Sequence, residues 1–140
     1  MNQQTQNFSN LFTKNGNLFE SKDSLAHCIS ADFKMSAGIA RSFKRKFPYD
    51  FPESTNSPLF VQKLDDRFIY HLVTKKRFFQ KPTYDSLRTS LEAMTNHANK
   101  YNVTQISMPK AGCGLDRLEW HKVQRLIKEI CAQSNLTITV

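Results

Sequence analysis

Cysteine is scarce in this sequence, and the few cysteines form no recognisable pattern. Cys28, Cys113 and Cys131 are odd in number, and no two of them stand in a CxxC spacing. A disulfide framework or a zinc site needs pairs or clusters of cysteines that this chain lacks. We therefore expect a protein that works without a metal and in a reducing compartment.

Long apolar runs are lacking as well. No stretch approaches the roughly 20 apolar residues that span a bilayer. The N-terminus also has no signal-peptide core. These absences predict a soluble intracellular protein, nuclear or cytoplasmic, with no membrane partner.

Glycine is limited to four residues, and two common glycine-rich nucleotide motifs are missing. The Walker pattern GxxxxGK(S/T) does not occur, which argues against a P-loop nucleoside triphosphatase. GxGxxG does not occur either, which argues against a Rossmann dinucleotide enzyme.

Charged residues, in contrast, are abundant, and basic residues outnumber acidic ones. Twenty Lys and Arg residues against twelve Asp and Glu residues give a net charge of +8. A basic surface suits a polyanionic partner, such as nucleic acid or a nucleotide polyphosphate. Solubility alone explains the same composition, so charge does not choose between the two interpretations.

Strand and helix patterns alternate through most of the chain. Residues 1–10 are polar and are predicted to form a flexible tail. We predict strands within 11–20 (before a turn at Asn15-Gly16), 23–30, 59–64, 67–75, 103–109 and 136–140. We predict helices over Ile39 to Phe47, over 84–100 with Thr83 as cap, and over 118–132. Asp65-Asp66 is predicted to close a hairpin. This order predicts one α/β domain over residues 11–140, a three-layer α/β/α sandwich with a central mixed sheet.

Two loops of small residues each follow a predicted strand and lead into a predicted helix. They are Met35 to Gly38 and Lys110 to Leu115. In α/β folds ligands bind beyond the carboxyl ends of strands, and helix N-termini favour anions. The loops are therefore candidates for gripping a pyrophosphate, although their glycines could equally serve as turns alone.

Two ionisable residues lie beside these loops. Asp116 either caps the helix that begins near Leu118 or faces a ligand as a general base, and spacing alone favours the cap. Lys75 ends a predicted strand, where alternation directs it away from Lys76. It is either an ordinary solvated lysine or a charge clamp or nucleophile at a phosphate-bearing ligand.

Other reactive side chains have simpler interpretations. Cys113 is predicted to be a small packed residue, because no neighbouring histidine would activate it. His27 and His71 lie in apolar strands and are predicted to be buried or hydrogen-bonded rather than metal ligands. Trp120 has the spacing of a helix core residue. The segment "KKRFFQK" (75–81) either stacks on nucleic-acid bases or merely flanks a strand end.

Four segments together resemble a known family. They are "DSLAHCIS", "KMSAGIARSFKRKF", "TKKRFFQKPTYDSLRTSLEAM" and "SMPKAGCGLDRLEW". In this order and spacing they resemble the macrodomain family, in its terminal ADP-ribose protein glycohydrolase branch, over roughly residues 11 to 140. The resemblance implies a macrodomain fold with ADP-ribose bound across the strand ends.

The resemblance also implies an activity. Members of this branch remove ADP-ribose from acidic side chains of modified proteins, and related enzymes act on ADP-ribosylated nucleic acid or O-acetyl-ADP-ribose. By resemblance, Lys75 attacks the anomeric carbon of the distal ribose and forms a covalent lysyl intermediate, and Asp116 acts as acid/base. We therefore expect a monomeric hydrolase that needs no cofactor and whose partners are ADP-ribose and ADP-ribosylated proteins.

Ligand contacts carry over from the family to two loops and four further positions. The loop residues are Ser36, Ala37, Gly38, Ile39 and Ala40, then Lys110, Ala111, Gly112, Cys113, Gly114 and Leu115, and the further positions are Asn17, Leu18, Ser30 and Pro109.

This sequence departs from the family at three places. Asn17 stands where the family has an aspartate that receives the adenine amino group, so charge assistance is lost there. Ser36 replaces a usual glycine and either crowds its loop or adds a hydroxyl donor. Relatives continue a few residues beyond the position of Val140, so a more open adenine pocket is expected.

Two rival functions stay open at this stage. One is a macrodomain that binds ADP-ribose without cleaving it, against which the presence of both Lys75 and Asp116 argues. The other is a basic protein that binds ADP-ribosylated or unmodified nucleic acid through the clusters Lys44–Lys46 and Lys75–Lys81.

Overall fold

The fold is a mixed β-sheet with helices packed against it. The computed structural model describes residues 11–12, 16–110, 118–132 and 134–140. Within these residues the strands are β1 (Leu11–Phe12), β2 (Ser24–Ser30), β3 (Leu59–Lys63), β4 (Phe68–Lys75), β5 (Gln105–Ser107) and β6 (Thr137–Thr139). The helices are α1 (Gly38–Lys46), α2 (Tyr84–Lys100) and α3 (Trp120–Cys131), with a short 3₁₀ helix at Leu18–Glu20. The predicted α/β class is confirmed.

Sheet order brings distant parts of the chain together. The strands lie in the order β1-β6-β5-β2-β4-β3, and all neighbours are parallel except β3 and β4. The antiparallel pair is the predicted hairpin, which Leu64 N–H closes by donating to the Arg67 carbonyl at 2.8 Å. Because β2, β4 and β5 run parallel, their carboxyl ends meet at one edge, where ligands bind in such folds.

Helix α2 begins where the sequence predicted. The Thr83 hydroxyl oxygen accepts from the Ser86 backbone N–H, and the Ser86 hydroxyl oxygen accepts from the Thr83 backbone N–H, both at 3.0 Å. This reciprocal pair satisfies N–H groups that a helix start leaves without partners. The predicted buried face is confirmed, with Leu87, Leu91, Met94 and Ala98 in the core.

Apolar side chains fill both faces of the sheet. On one face α2 and α3 pack on a cluster that includes Ala26, Leu72 and Ile106. On the other face α1 packs on Leu25, Ile29 and Ile69, as the alternation of side chains along a strand requires. The two clusters explain why β2 and β4 read as continuous apolar runs in the sequence.

Three details of the helices add to or differ from the sequence predictions. In α1 the apolar spacing buries Phe43, whereas Ile39 is 39% exposed because it lies in the first turn, beside an open cavity. Helix α3 begins at Trp120 with Glu119 at its N-cap position, later than predicted. Asp116, the residue considered as a cap, lies outside the described residues. Trp120 is half-buried against the α2–α3 cluster rather than fully in the core.

A buried polar chain crosses three strands on the α1 face. The Gln62 amide N–H donates to the Phe47 carbonyl at 3.1 Å, so the Gln62 carbonyl oxygen is the atom 2.9 Å from His71 Nε2. An amide oxygen only accepts, so His71 Nε2 carries the proton. His27 Nε2 lies 2.7 Å from His71 Nδ1, and in the neutral pair it donates to that bare nitrogen.

This order of protons leaves one nitrogen without a partner. His27 Nδ1 is buried and makes no hydrogen bond within the described residues. The His27 ring stacks on Phe43, with 3.8 Å between ring centroids and 6° between planes.

Burial lowers the pKa of His71 to about 4. Burial, and then the neighbouring His71, hold the pKa of His27 well below its ordinary value. Both histidines were predicted to be buried or hydrogen-bonded, and both are buried and hydrogen-bonded.

These lowered pKa values predict a loss of stability in mild acid. Below about pH 6.5 these histidines bind protons in the unfolded chain but stay neutral in the folded protein. The free energy of unfolding therefore falls by about 1.4 kcal/mol per pH unit for each histidine. The loss continues as the pH falls toward the folded-state values. Urea unfolding at pH 7.5, 6.5, 5.5 and 5.0 measures it.

Two variants assign the effect. His71→Gln removes one of the two buried histidines, and we expect a shallower dependence on pH. His121→Gln changes an exposed histidine and should leave the wild-type slope. A free energy of unfolding that stays constant between pH 6.5 and 5 would contradict the neutral assignment.

Candidate functional site

Lys75 reaches the ligand edge of the sheet through an irregularity in β4. Ile29 pairs with Val73, but the next residue, Ser30, pairs with Lys75. Thr74 is thus an extra residue in β4, a β-bulge, and the Ala31 N–H donates to the Lys75 carbonyl at 2.8 Å. Lys75 is half-buried and Lys76 is exposed, as expected if the two side chains diverge.

A cavity of about 470 Å³ opens at this edge. Its wall consists of the end of β2, the loop into α1 with the first turn of that helix, the segment after β4, and the segment after β5. These parts contribute Cys28, Ile29, Ser30, Met35, Ser36, Ala37, Gly38, Ile39, Ala40, Lys75, Phe78, Phe79, Gln80, Lys81, Pro109 and Lys110. Its volume lies within the range of small-molecule and cofactor sites.

The N-terminus of α1 faces this cavity without a side-chain cap. Ala37 occupies the N-cap position and its side chain makes no hydrogen bond. Gly38 has φ 60°, a conformation that costs glycine little. Backbone N–H groups at an uncapped helix start attract anions, and the helix dipole adds to the attraction.

The loop before α1 is held in an uncommon shape. Phe33 and Met35 have φ values of 52° and 44°, although bulky residues rarely adopt the left-handed region. Both side chains are buried in the α1-side cluster, and that packing offsets the backbone strain. The loop is therefore a rigid wall of the cavity.

Asp32 connects this loop with the segment after β4. Its carboxylate accepts from the Ser30 hydroxyl at 2.5 Å, the Phe78 N–H at 3.0 Å and the Lys34 N–H at 3.3 Å. Partial burial works against the charged form, but these hydrogen bonds outweigh it, and the pKa of Asp32 lies below its ordinary value. One carboxylate thus fixes two walls of the cavity relative to each other.

The charge of the cavity wall is positive. Of the described residues in the wall, three are lysines, Lys75, Lys81 and Lys110, and none is acidic. The Lys110 Nζ lies 5.8 Å from the centre of the Trp120 ring, a cation–π contact that restrains this exposed side chain. A helix start and three lysine side chains around one cavity form a site for a polyanion such as a diphosphate.

Most of the described residues predicted as ligand contacts line this one cavity. Ser30, Pro109 and Lys110 belong to its wall with Lys75 and the whole of Ser36–Ala40. The wall does not include Asn17 or Leu18. The Asn17 side chain instead caps the 3₁₀ helix by accepting from the Phe19 N–H at 2.9 Å, and Leu18 packs on the α1-side cluster. Ala111, Gly112, Cys113, Gly114, Leu115 and Asp116 lie outside the described residues.

Sequence reasoning missed several members of the wall. Cys28 and Ile29 belong to an apolar strand, where ligand-facing residues look like core residues, whereas Met35 opens a loop that was predicted to bind a ligand. Phe78, Phe79 and Gln80 lie in a segment that was ambiguous between base stacking and a strand flank. The available signal was position, since both groups border the carboxyl end of a parallel strand.

Comparison with known proteins agrees with this geometry. No family model matches the chain. The chain is 49% identical over 122 residues to the human and bovine ADP-ribose glycohydrolase OARD1, covering 84% of this chain and 80% of each relative. A DNA ADP-ribosyl glycohydrolase of Thermus aquaticus is 24% identical over 128 residues, covering 81% of this chain and 36% of that protein. The solved macrodomain of Thermus aquaticus DarG matches with a TM-score of 0.81 at 22% identity, covering 92% of this chain and 95% of that one.

Removing the Asp32 carboxylate tests its role in joining the two walls. In Asp32→Ala three donors lose a charged acceptor, and we expect the free energy of unfolding to fall by about 1–3 kcal/mol. Chemical denaturation measures this change. Asp50→Ala, in an exposed loop, serves as the control and should stay within about 0.5 kcal/mol of wild type. Equal stability of the two variants would show that the Asp32 contacts contribute little.

Proposed function

The chain belongs to the macrodomain family, as a relative of ADP-ribose glycohydrolase OARD1, and we propose that it hydrolyses ADP-ribose from modified acidic side chains of proteins. The observation that carries the proposal is the position of Lys75. Its cavity is also lined by the uncapped start of α1, so one site combines a nucleophile with an anion-binding surface.

The α1 N-terminus and Lys110 suit the diphosphate of ADP-ribose. The backbone N–H groups there supply directional donors, and the lysine supplies a point charge. With the diphosphate held between them, the distal ribose lies toward Lys75 in the same cavity. Binding energy from the diphosphate then serves to orient the reacting carbon.

The proposed reaction proceeds through a covalent intermediate. The neutral Lys75 amine attacks the anomeric carbon of the distal ribose, a C–N bond forms, and the C–O bond to the substrate carboxylate breaks. The carboxylate leaves with the bonding electron pair, so it requires no protonation. Asp116 takes the proton that the amine loses.

Water completes the cycle. Asp116 first returns its proton to the lysine nitrogen, which makes that nitrogen a leaving group. The Asp116 carboxylate then takes a proton from the water that adds to the same carbon as the C–N bond breaks, and this proton is finally released to solvent. The products are ADP-ribose and the free acidic side chain. Asp116 and its loop enter this scheme from the resemblance of "GCGLD" to the family motif.

The nucleophile is tested by Lys75→Ala. We expect turnover of a Glu-linked mono-ADP-ribosyl peptide to fall by at least about 1,000-fold, because covalent catalysis has no substitute group at that position. ADP-ribose release is followed by chromatography, and ADP-ribose affinity by calorimetry. Affinity should persist, since the anion-binding surface stays in place.

Lys63→Ala is the control for the loss of a strand lysine. Lys63 is exposed and lies at the end of β3, away from the cavity. This variant should keep wild-type turnover. Full turnover in Lys75→Ala would overturn the covalent mechanism, and absence of turnover in the wild type would favour a binding module.

Asp116→Ala tests the second half of the cycle. Without a base to activate water, we expect the lysyl intermediate to accumulate rather than hydrolyse. Intact-protein and peptide mass spectrometry after incubation with substrate should find the added mass on Lys75. A variant that turns over at the wild-type rate would remove Asp116 from the mechanism.

A further inference from the structure

The antiparallel ladder of β3 and β4 ends at a proline. Leu59 pairs with Leu72, so the next step of the same register sets Pro58 opposite Val73. The Val73 N–H donates to the Pro58 carbonyl at 2.9 Å. A hydrogen-bonded antiparallel pair normally exchanges two such bonds, and the second would run from the N–H of residue 58 to the Val73 carbonyl. Because proline has no N–H, this second bond cannot form.

A side chain from α2 takes the place of the missing donor. Ser90 is fully buried, and its hydroxyl donates to the Val73 carbonyl at 3.0 Å. The same hydroxyl lies 3.1 Å from the Ser86 carbonyl of its own helix, so its single proton is shared between two acceptors. A bond to the fourth preceding carbonyl is common for serine in a helix. The bond to Val73 spans 17 residues, and it completes the last pair of the ladder from another element.

This contact lies directly before the bulge that places Lys75. Val73 is the last residue of β4 in regular register with β2, and Thr74 is the extra residue. The Thr74 side chain is buried, and its hydroxyl makes no hydrogen bond within the described part of the chain. The bulge is therefore not held by its own side chain. Bonds on either side hold it, from Ser90 to the Val73 carbonyl and from the Ala31 N–H to the Lys75 carbonyl.

We propose that Ser90 is a positioning residue for the nucleophile Lys75 and that it acts through the Val73 carbonyl. The inference rests on the proposed function and adds to it a residue outside the described cavity wall. An amine that attacks a sugar carbon must be held in a near-attack geometry, and a misplacement of about 1 Å can lower a rate by about 100-fold. Without the Ser90 hydroxyl the Val73 carbonyl loses its donor, the bulge loosens, and Lys75 loses its fixed position.

The first test separates the rate from the affinity. In Ser90→Ala we expect kcat on a Glu-linked ADP-ribosyl peptide to fall by about 10- to 100-fold. The dissociation constant for ADP-ribose, measured by calorimetry, should stay within about threefold, because the anion-binding start of α1 packs on the opposite face of the sheet from α2. Partial unfolding would instead lower the rate and the number of binding sites in the same proportion. An unchanged kcat would overturn the proposal.

Thr95→Val is the matched control. It removes another buried hydroxyl from α2, one that donates within the helix to the Leu91 carbonyl at 2.9 Å. We expect this variant to keep kcat within about twofold of the wild type. Circular dichroism and the midpoint of urea unfolding check that both variants are folded under the assay conditions. An equal loss of kcat in the two variants would show a general effect of weakening α2, and the proposal would fall.

A second substitution should rescue the first. Pro58→Ala supplies a backbone N–H opposite the Val73 carbonyl, where the ladder lacks one. In Ser90→Ala/Pro58→Ala we therefore expect kcat to return to within about threefold of Pro58→Ala alone, because the amide replaces the lost hydroxyl. A double variant that stays as slow as Ser90→Ala would overturn the assignment to the Val73 carbonyl.

Hydrogen exchange gives a readout that does not depend on activity. In NMR measurements the Val73 amide should exchange about 3- to 10-fold faster in Ser90→Ala than in the wild type, since the pair at the ladder end is weakened. Thr95→Val should leave this rate unchanged. Unchanged exchange in Ser90→Ala would contradict the proposal. If the wild type does not cleave the peptide, the proposed function fails and the positioning role with it, whereas wild-type turnover in Ser90→Ala removes the positioning role alone.

Discussion

Strands β2 and β4 run parallel in the sheet, and their pairing supports both the core and the cavity. Three residues before its carboxyl end, β2 places His27 beside its register partner His71, and this buried contact carries a hydrogen bond. At the end of the same pairing the bulge at Thr74 brings Lys75 opposite Ser30. A shift of one residue between the strands would break the histidine contact and reverse the facing of the strand side chains. The register of β2 and β4 therefore fixes both the packing of the core and the position of Lys75.

Beyond the strands, a single carboxylate joins the segments that form the cavity wall. Asp32 follows β2 by two residues and accepts from donors in its own loop and in the turn after β4. The buried side chains of Phe33 and Met35 hold the same loop in a left-handed conformation. An anion-binding helix start and an aromatic turn are thereby set at defined positions, which lowers the entropy that a ligand would otherwise lose by ordering them.

Local patterns explain how far prediction from sequence reached. The hairpin of β3 and β4 and the Thr83 cap of α2 depend on residues close together in the chain, and both were predicted correctly. Alternation and helical spacing likewise identified most of the buried faces. Helical spacing identified the apolar stripe of α1 but did not show which turn of the helix opens to the cavity; the resemblance named Ile39 as a ligand contact, and Ile39 lines the cavity. The resemblance in turn identified Lys75 and the loop before α1 as candidates.

The sequence by itself determined the element order, the mixed sheet and the basic charge, since these follow from composition and from neighbours a few residues apart. Only the tertiary structure decided which of the candidates share one cavity. The contact of Asp32 with the Phe78 backbone spans 46 residues, and that of His27 with His71 spans 44. Contacts over such separations leave no periodic pattern, because they depend on strand order and on one bulge. The sequence left the role of "KKRFFQK" ambiguous, whereas the tertiary structure shows an aromatic turn beside Lys75 that hydrogen bonds to Asp32 and Gln80 hold in place.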